Sequence, residues 1–542
     1  MPQQHLDRLS AIDASFLHQE KPNSHMHVGG VSIFNGPPPP YEAFADSMRS
    51  RLHLVPRYRQ KLAHPPLESG RPLWVDDPNF NLEYHVRHTA LPAPGDEPQL
   101  MRLTARIFSQ RLDRSKPLWE MWLIEGLTDN RFALIAKTHH ALVDGISGVD
   151  IAQVLFDLSP EPAAIDAPGD AWQPAPEPSS AQLAAAGLKG LVRASVGLAT
   201  QAVFAASRPN TALEKAREAA EGIGEIVWAG LNPAPETPFN VEIGPHRRFS
   251  VVRSSLAEYK EVKNAFGCTL NDVVLAVVAG ALGDFLRARG IRTEGLELRA
   301  LVPVSIRPKD QLNQLGNQLA AMRAALPVYV KDPVTRVKLV KQAMDGLKES
   351  KQAVGAEVLA SVQSFAPPTI LAQASRLNFS TRLFNLIVTN VPGPQFPLYV
   401  LGSELEDAFP VAFLPENHAL AIAVMSYNGK LNYGLLGDYD ALPDLELIAE
   451  GIERSLTALL RVARKGTPAT PRPSRSAAAR AAQRERRAAS RKAAAGRSGN
   501  GSPSAGSASA ESRSGPPPSS AGNSRTARPD GAKSGGGGRG ST

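Results

Sequence analysis

Residues Arg131 to Thr138 make an apolar run of strand length that stops at two consecutive histidines, in the stretch His139-His140-Ala141-Leu142-Val143-Asp144-Gly145. Such a run reads as a buried strand, so the chain must build a sheet with apolar cover, and these seven residues mark where it leaves that sheet. The place suits base chemistry. Histidine is the side chain whose ordinary pKa lies near neutrality, and a strand end holds its ring rigidly. Successive strand side chains face opposite ways, which leaves one imidazole for a cleft and one for the wall behind it. Gly145 permits a tight turn after Asp144. A metal site needs three or more convergent ligands. No second His, Asp or Glu cluster with ligand spacing accompanies this one, so no metal is expected.

The chain has 542 residues, 42% hydrophobic and 21% charged, too long for one ordinary core and apolar enough for two. No apolar run reaches the roughly 18 to 20 residues that cross a bilayer. The best candidate, Val273 to Leu282, is cut off by Asp284. Met1 to Lys21 carries scattered charges and no continuous apolar core, so no signal peptide is read there and a cytoplasmic location is expected. The lone cysteine, Cys268, excludes an intrachain disulfide, and its place beside a helix start reads as packing. The formal charge of +8 is unevenly spread. Gly466 to Thr542 holds 14 Lys and Arg against 3 Asp and Glu, a net +11 that leaves the body at −3.

Composition divides the chain at 1–158, 159–244, 245–465 and 466–542. Pro160 to Ser180 reads as a linker, Ala181 to Gly230 as weakly amphipathic helices, and Asn232 to Pro238 as a second Pro-rich break. Together they form a long crossover. Beyond Gly466 the large apolar residues vanish, so this tail cannot bury enough surface to fold. In the first half, strands are read at Val28–Phe34, Leu118–Glu125 and Arg131–Thr138, and helices at Tyr41–Leu54, Pro98–Arg111 and Ile146–Leu158. In the second, strands are read at Arg248–Ser254, Leu296–Val304, Leu319–Pro327 and Phe384–Thr389. A hairpin, Leu420–Tyr427 and Lys430–Leu436, turns at Asn428-Gly429, a pair suited to the positive φ angles of a type I′ turn. Helices follow at about Leu270–Gly290, Pro333–Lys351 and Asp444–Ala463. Two α+β halves joined by a crossover suggest a cleft between them.

His139 to Gly145 matches the HHxxxDG signature of the CoA-dependent acyltransferases. From about residue 5 to 465 the chain resembles the bacterial wax ester synthase/diacylglycerol acyltransferase family. The narrower resemblance rests on Leu9-Ser10-Ala11-Ile12-Asp13 with Phe16, on Pro117-Leu118-Trp119-Glu120, on Asn271-Asp272-Val273-Val274, on Pro303-Val304-Ser305-Ile306-Arg307, and on Asn390-Val391-Pro392-Gly393-Pro394. HHxxxDG alone is shared with peptide-synthetase condensation domains. The resemblance implies an α/β fold, an α+β sandwich of two chloramphenicol-acetyltransferase-like domains with a tunnel between them. It makes His140 the general base, which removes the acceptor's hydroxyl proton and returns it to the departing CoA thiolate, with no acyl-enzyme. His139 and Gly145 support it. By the same resemblance Asp144 turns away from the imidazole and pairs with an arginine, for which Arg307 is the candidate. The oxyanion donor is not identifiable from sequence.

Thr269-Leu270-Asn271-Asp272 approximates a capping box, with Asp in place of the usual Glu or Gln. That accounts for Asp272 and leaves the Asn271 amide as a candidate substrate contact. Trp119, Met121 and Leu123 alternate as strand core. The resemblance makes the same segment a tunnel wall, with Trp119 a candidate for substrate binding as well as packing.

The expected reaction moves a long-chain fatty acyl group from acyl-CoA to diacylglycerol, a long-chain alcohol or both. It needs no cofactor, because acyl-CoA is a substrate. One alternative is a condensation-type or polyketide-associated acyltransferase that takes carrier-protein thioesters. Another is a non-catalytic lipid-body surface or lipid-binding protein, against which the intact His140 speaks. In the tail, Arg480, Arg484, Arg487 and Arg491 recur at i, i+4, i+7 and i+11, one basic stripe if that stretch becomes helical. Otherwise it is a solvated tail. No aromatic residue follows Tyr439 to stack on bases, so an anionic membrane or lipid-droplet surface suits it better than nucleic acid.

Overall fold

The computed structural model describes residues 7–66, 70–143, 156–162, 172–187, 232–305, 319–349 and 380–466. The first half runs β1 (Asp7–Arg8), α1 (Ala11–Gln19), β2 (His27–Asn35), α2 (Tyr41–Arg51), β3 (Gln60–Ala63), β4 (Leu73–Asp76), α3 (Leu82–His85), β5 (Val86–Ala90), α4 (Glu97–Ser109), β6 (Trp119–Leu127), β7 (Arg131–His139) and the short α5 (His140–Val143). After the crossover come β8 (Arg247–Ser255), α6 (Leu256–Phe266), α7 (Leu270–Ala288), β9 (Leu298–Ser305), β10 (Leu319–Leu326), α8 (Pro333–Glu349) and β11 (Leu386–Pro392). The described chain ends with β12 (Tyr399–Val400), β13 (Ser403–Val411), the hairpin β14 (Leu420–Tyr427) and β15 (Lys430–Asp438), and α9 (Glu446–Gly466).

Among the described residues these strands form two mixed six-stranded sheets and one of three strands. The first large sheet is ordered β12-β13-β2-β7-β6-β5 and the second β10-β9-β11-β14-β15-β8. The α/β class and its two-part plan are as expected. The halves of the sequence, however, share strands: β12 and β13 come from the second half and complete the first sheet beside β2. Near the end of β13, Pro410 comes so close to β15 that a Cβ on Gly434 would lie 1.9 Å from its carbonyl oxygen. Glycine is required there.

Alternate residues of β7 enter different cores. Phe132 and Leu134 pack with Phe34, Trp74 and Trp119, whereas Ala133 and Ile135 pack with Val31, Leu100 and Phe108. The sheet is covered on both faces, and so the run at residue 131 reads as continuous rather than alternating. The second of these cores extends into the other half, where α7 is buried from Val273 to Leu286 apart from Asp284. No single described helix is long and apolar enough to cross a membrane. The expected capping box opens α7: Asp272 N–H donates to Thr269 Oγ1 at 3.2 Å, and Thr269 N–H donates to Asp272 Oδ2 at 2.7 Å. The hairpin turns at Asn428 and Gly429, with φ of 42° and 81°.

Elsewhere the structure corrects the reading. The helix expected to end at Leu158 lies outside the described residues up to 155, and its last residues are not helical. Asp157 instead bridges Tyr399 and pairs with buried Arg51 at 2.6 Å. The helix read as Tyr41–Leu54 is α-helical to Arg51 and tightens into a 3-10 turn over Leu52–Leu54, after which Pro56 pushes Val55 out of the helical region. α1, β5, α6 and β13 are elements the sequence reading did not identify. In β13 the acidic Glu404, Glu406 and Asp407 mask the strand. Asp407 is nevertheless buried, where it accepts from Arg253 Nε at 2.7 Å, Lys430 Nζ at 2.8 Å and Asn432 Nδ2 at 3.2 Å.

Candidate active site

β7 ends between its two histidines, and neighbouring strands fix the main chain on both sides. His139 N–H donates to Leu118 O at 3.0 Å, from the Pro117-Leu118-Trp119 segment, and His140 N–H donates to Met26 O at 2.7 Å, just before β2. Two residues earlier, Lys137 is fully buried. Its ammonium pairs with Glu120 at 2.6 Å and donates to the carbonyls of Ile107 and Gln110 at 2.8 and 2.9 Å, which ties the end of α4 to β7.

The two rings differ in role. His139 is buried, its Nδ1 accepts the N–H of Ala141 at 3.1 Å, and its Nε2 lies 3.8 Å from Glu20 Oε2. Burial, reinforced by Arg114, holds its pKa well below the usual imidazole value. His140 begins α5 and is only half-buried. Phe16 stacks on it with ring centroids 4.0 Å apart, and Phe413 meets it edge-on at 5.6 Å. Desolvation pulls its pKa down to about 4, against its own main-chain carbonyl and Asp13, which favour the charged ring. A neutral imidazole held this way can take a proton from a hydroxyl.

Trp119 is buried packing: its indole N–H donates to Tyr58 O at 2.8 Å and its ring stacks on His85 at 4.7 Å. Asn271 stands at the start of α7, where its Oδ1 accepts from Asn390 Nδ2 at 3.4 Å. That bond joins two of the motif blocks; no described hydrogen bond joins Asn271 to His140. Burial and Asp272 push the Cys268 thiol up to about 11, as befits packing rather than nucleophilic attack. Asp144, Gly145 and Arg307 lie outside the described residues. Glu20, Asp13, Phe413 and Lys137 join the surroundings of the two histidines without a sequence signal that marks them as site residues. Phe16 and Asp13 stand in a motif block, whereas a lone carboxylate after a helix and a lone aromatic in a loop carry no pattern.

The catalytic domain of the wax ester synthase/diacylglycerol acyltransferase family matches residues 9–274, and its C-terminal domain matches residues 315–460. The chain belongs to this acyltransferase family. Within it, the chain is similar to two Mycobacterium tuberculosis proteins named probable diacylglycerol O-acyltransferase. One, tgs1, is 34% identical over 85% of this chain and 97% of its own length; the other, tgs2, is 35% identical over 84% and 99%. The wax ester synthase/diacylglycerol acyltransferase from Marinobacter aquaeolei VT8 superposes with a TM-score of 0.59 at 29% identity, covering 84% of this chain and 100% of that one. The first condensation domain of the calcium-dependent antibiotic synthetase shares the fold, with a TM-score of 0.52 at 16% identity over 86% of this chain and 98% of its own.

Proposed function

We propose that this acyltransferase moves a long-chain fatty acyl group from acyl-CoA to diacylglycerol, a long-chain alcohol or both, making triacylglycerol or wax ester. His140 is the general base. Its ring takes the hydroxyl proton as the acceptor oxygen attacks the thioester carbonyl, and the proton then goes to the departing CoA thiolate, so no acyl-enzyme forms. The observation that carries this reading is the His140 ring itself: partly exposed, gripped by Phe16 and Phe413, and kept unprotonated by desolvation. The names of the mycobacterial relatives support diacylglycerol as acceptor, and that of the Marinobacter protein supports both acceptors. The basic tail holds the enzyme at an anionic lipid surface. No cofactor takes part.

The test is purified full-length protein with labelled acyl-CoA, given diacylglycerol and hexadecanol side by side. Labelled ester from either acceptor supports the reading and names the acceptor. No ester from either, with turnover only of carrier-protein thioesters, would replace it with condensation-type chemistry.

A further inference from the structure

α1 reaches both histidines. Phe16 lies on His140, and Glu20, which caps the helix by donating its N–H to Phe16 O at 3.2 Å, turns its carboxylate into the wall behind them. That side chain is 1% exposed. Its Oε2 faces Arg111 at 3.3 Å, Arg114, and His139 Nε2 at 3.8 Å, while Oε1 lies 3.6 Å from His27 Nε2. A buried carboxylate without counter-charge is strongly disfavoured, and the two guanidinium groups, each partly in solvent, offset that penalty.

The proton on His139 has only one place to be. The ring is neutral because it is desolvated, and Nδ1 carries no hydrogen because it accepts the Ala141 N–H. The hydrogen is therefore on Nε2, the nitrogen that faces Glu20. We infer that Glu20 is a positioning residue: its carboxylate charge, 3.8 Å from Nε2 and too far for a hydrogen bond, favours His139 in the Nε2–H form, whose Nδ1 then captures the Ala141 N–H and sets the strand-to-helix step that carries His140. In the other tautomer two donors would face each other at Ala141, and the first turn of α5 would keep only the bond from His140 N–H to Met26 O. The inference rests on His140 being the base.

The substitutions that test it are Glu20→Gln, Glu20→Asp and His139→Asn. An amide in place of Glu20 presents donor and acceptor alike and no longer selects a tautomer. Asparagine at 139 can accept the Ala141 N–H with no tautomer to select. Glu20→Gln should lower kcat roughly tenfold with KM little changed, and Glu20→Asp should recover part of the loss. In the His139→Asn background, Glu20→Gln should bring no further loss. Equal fold-losses in the two backgrounds would overturn the inference, since Glu20 would then act without His139. A readout independent of turnover is ¹⁵N NMR of wild-type protein. A coupling across the hydrogen bond between the Ala141 amide and an unprotonated Nδ1 assigns His139 without any substitution. A protonated Nδ1 there sinks the inference whether or not the acyl transfer is correctly assigned.

Discussion

Phe16 lies nearly flat on His140, with ring centroids 4.0 Å apart and planes 25° from parallel. Stacking strips water from the imidazole, and the charged ring loses more hydration than the neutral one. A base must be unprotonated, so activity is lost as pH falls through its pKa. In the wild type that limb of the kcat/KM profile should lie near 4. In Phe16→Ala it should move up toward the ordinary imidazole value of about 6.5, with lower activity at every pH below it. A limb that does not move would show that Phe16 shapes the pocket without tuning the base.

His140→Ala should lower turnover by about 10² to 10⁴, the usual worth of a positioned general base, while melting temperature and circular dichroism stay close to wild type. His139→Ala should lower turnover less, because that ring acts through the main chain of Ala141 rather than on the hydroxyl. A folded His140→Ala protein with near-wild-type turnover would end the mechanism.

Much of this was legible in the sequence because its signals are local. The run at 131–138, the pair at 139–140, the Asn428-Gly429 hairpin and the Thr269 capping box each depend on residues a few positions apart, and each stands where it was read. Strand exchange was not legible. β13 pairs with β2 across more than 350 positions, and its Asp407 looks like a surface charge until Arg253 and Lys430 arrive from β8 and β15. The grip on His140 was half legible: Phe16 stands in a recognisable block, but Phe413 comes from a loop with no periodicity. Glu20 is informative only once the fold has buried it.

Lys137 and Glu120 form a buried pair at 2.6 Å, and they should be unequal to lose. Breaking a buried pair from one side typically costs about 3 to 5 kcal/mol. Glu120 keeps a second cation, Arg87, at 3.3 Å, so Lys137→Met should fall at the low end of that range. Glu120→Leu leaves the ammonium with carbonyl partners only and should fall at the high end. The double variant should regain much of the loss. Denaturant midpoints at constant slope measure all three; equal losses from the two single substitutions would contradict the role given to Arg87.

Buried neutral imidazoles make stability depend on pH. His27, His85, His139 and His418 are almost fully buried, and desolvation lowers the pKa of each. The unfolded chain binds protons at these positions below a pH of about 6.5, where the native protein does not. Stability should therefore be fully present above that value and fall as pH drops below it, at up to about 1.4 kcal/mol per pH unit for each ring. His418→Gln should flatten the dependence even though it lowers stability at neutral pH. Unfolding free energies at pH 7.5 and 5.5 compare the two slopes, and identical slopes would mean that His418 titrates alike in both states.

The tail from Gly466 to Thr542 carries a net +11 in a stretch without large apolar side chains, so its attraction to lipid is electrostatic. Each basic residue near an anionic surface is worth about 1 kcal/mol at best, and salt screens the attraction over roughly 8 to 10 Å. The −3 body supplies no matching pull. Full-length protein should therefore bind anionic vesicles with an affinity that falls steeply between low and physiological salt. Protein ending at Lys465 should bind weakly at both. Because His139 and His140 lie far upstream in sequence, both forms should esterify a soluble acceptor at the same rate. Unchanged vesicle affinity and salt dependence after truncation would mean that whatever holds the enzyme to lipid resides in the folded body, and that the arginine stripe at 480 to 491 is solvated charge.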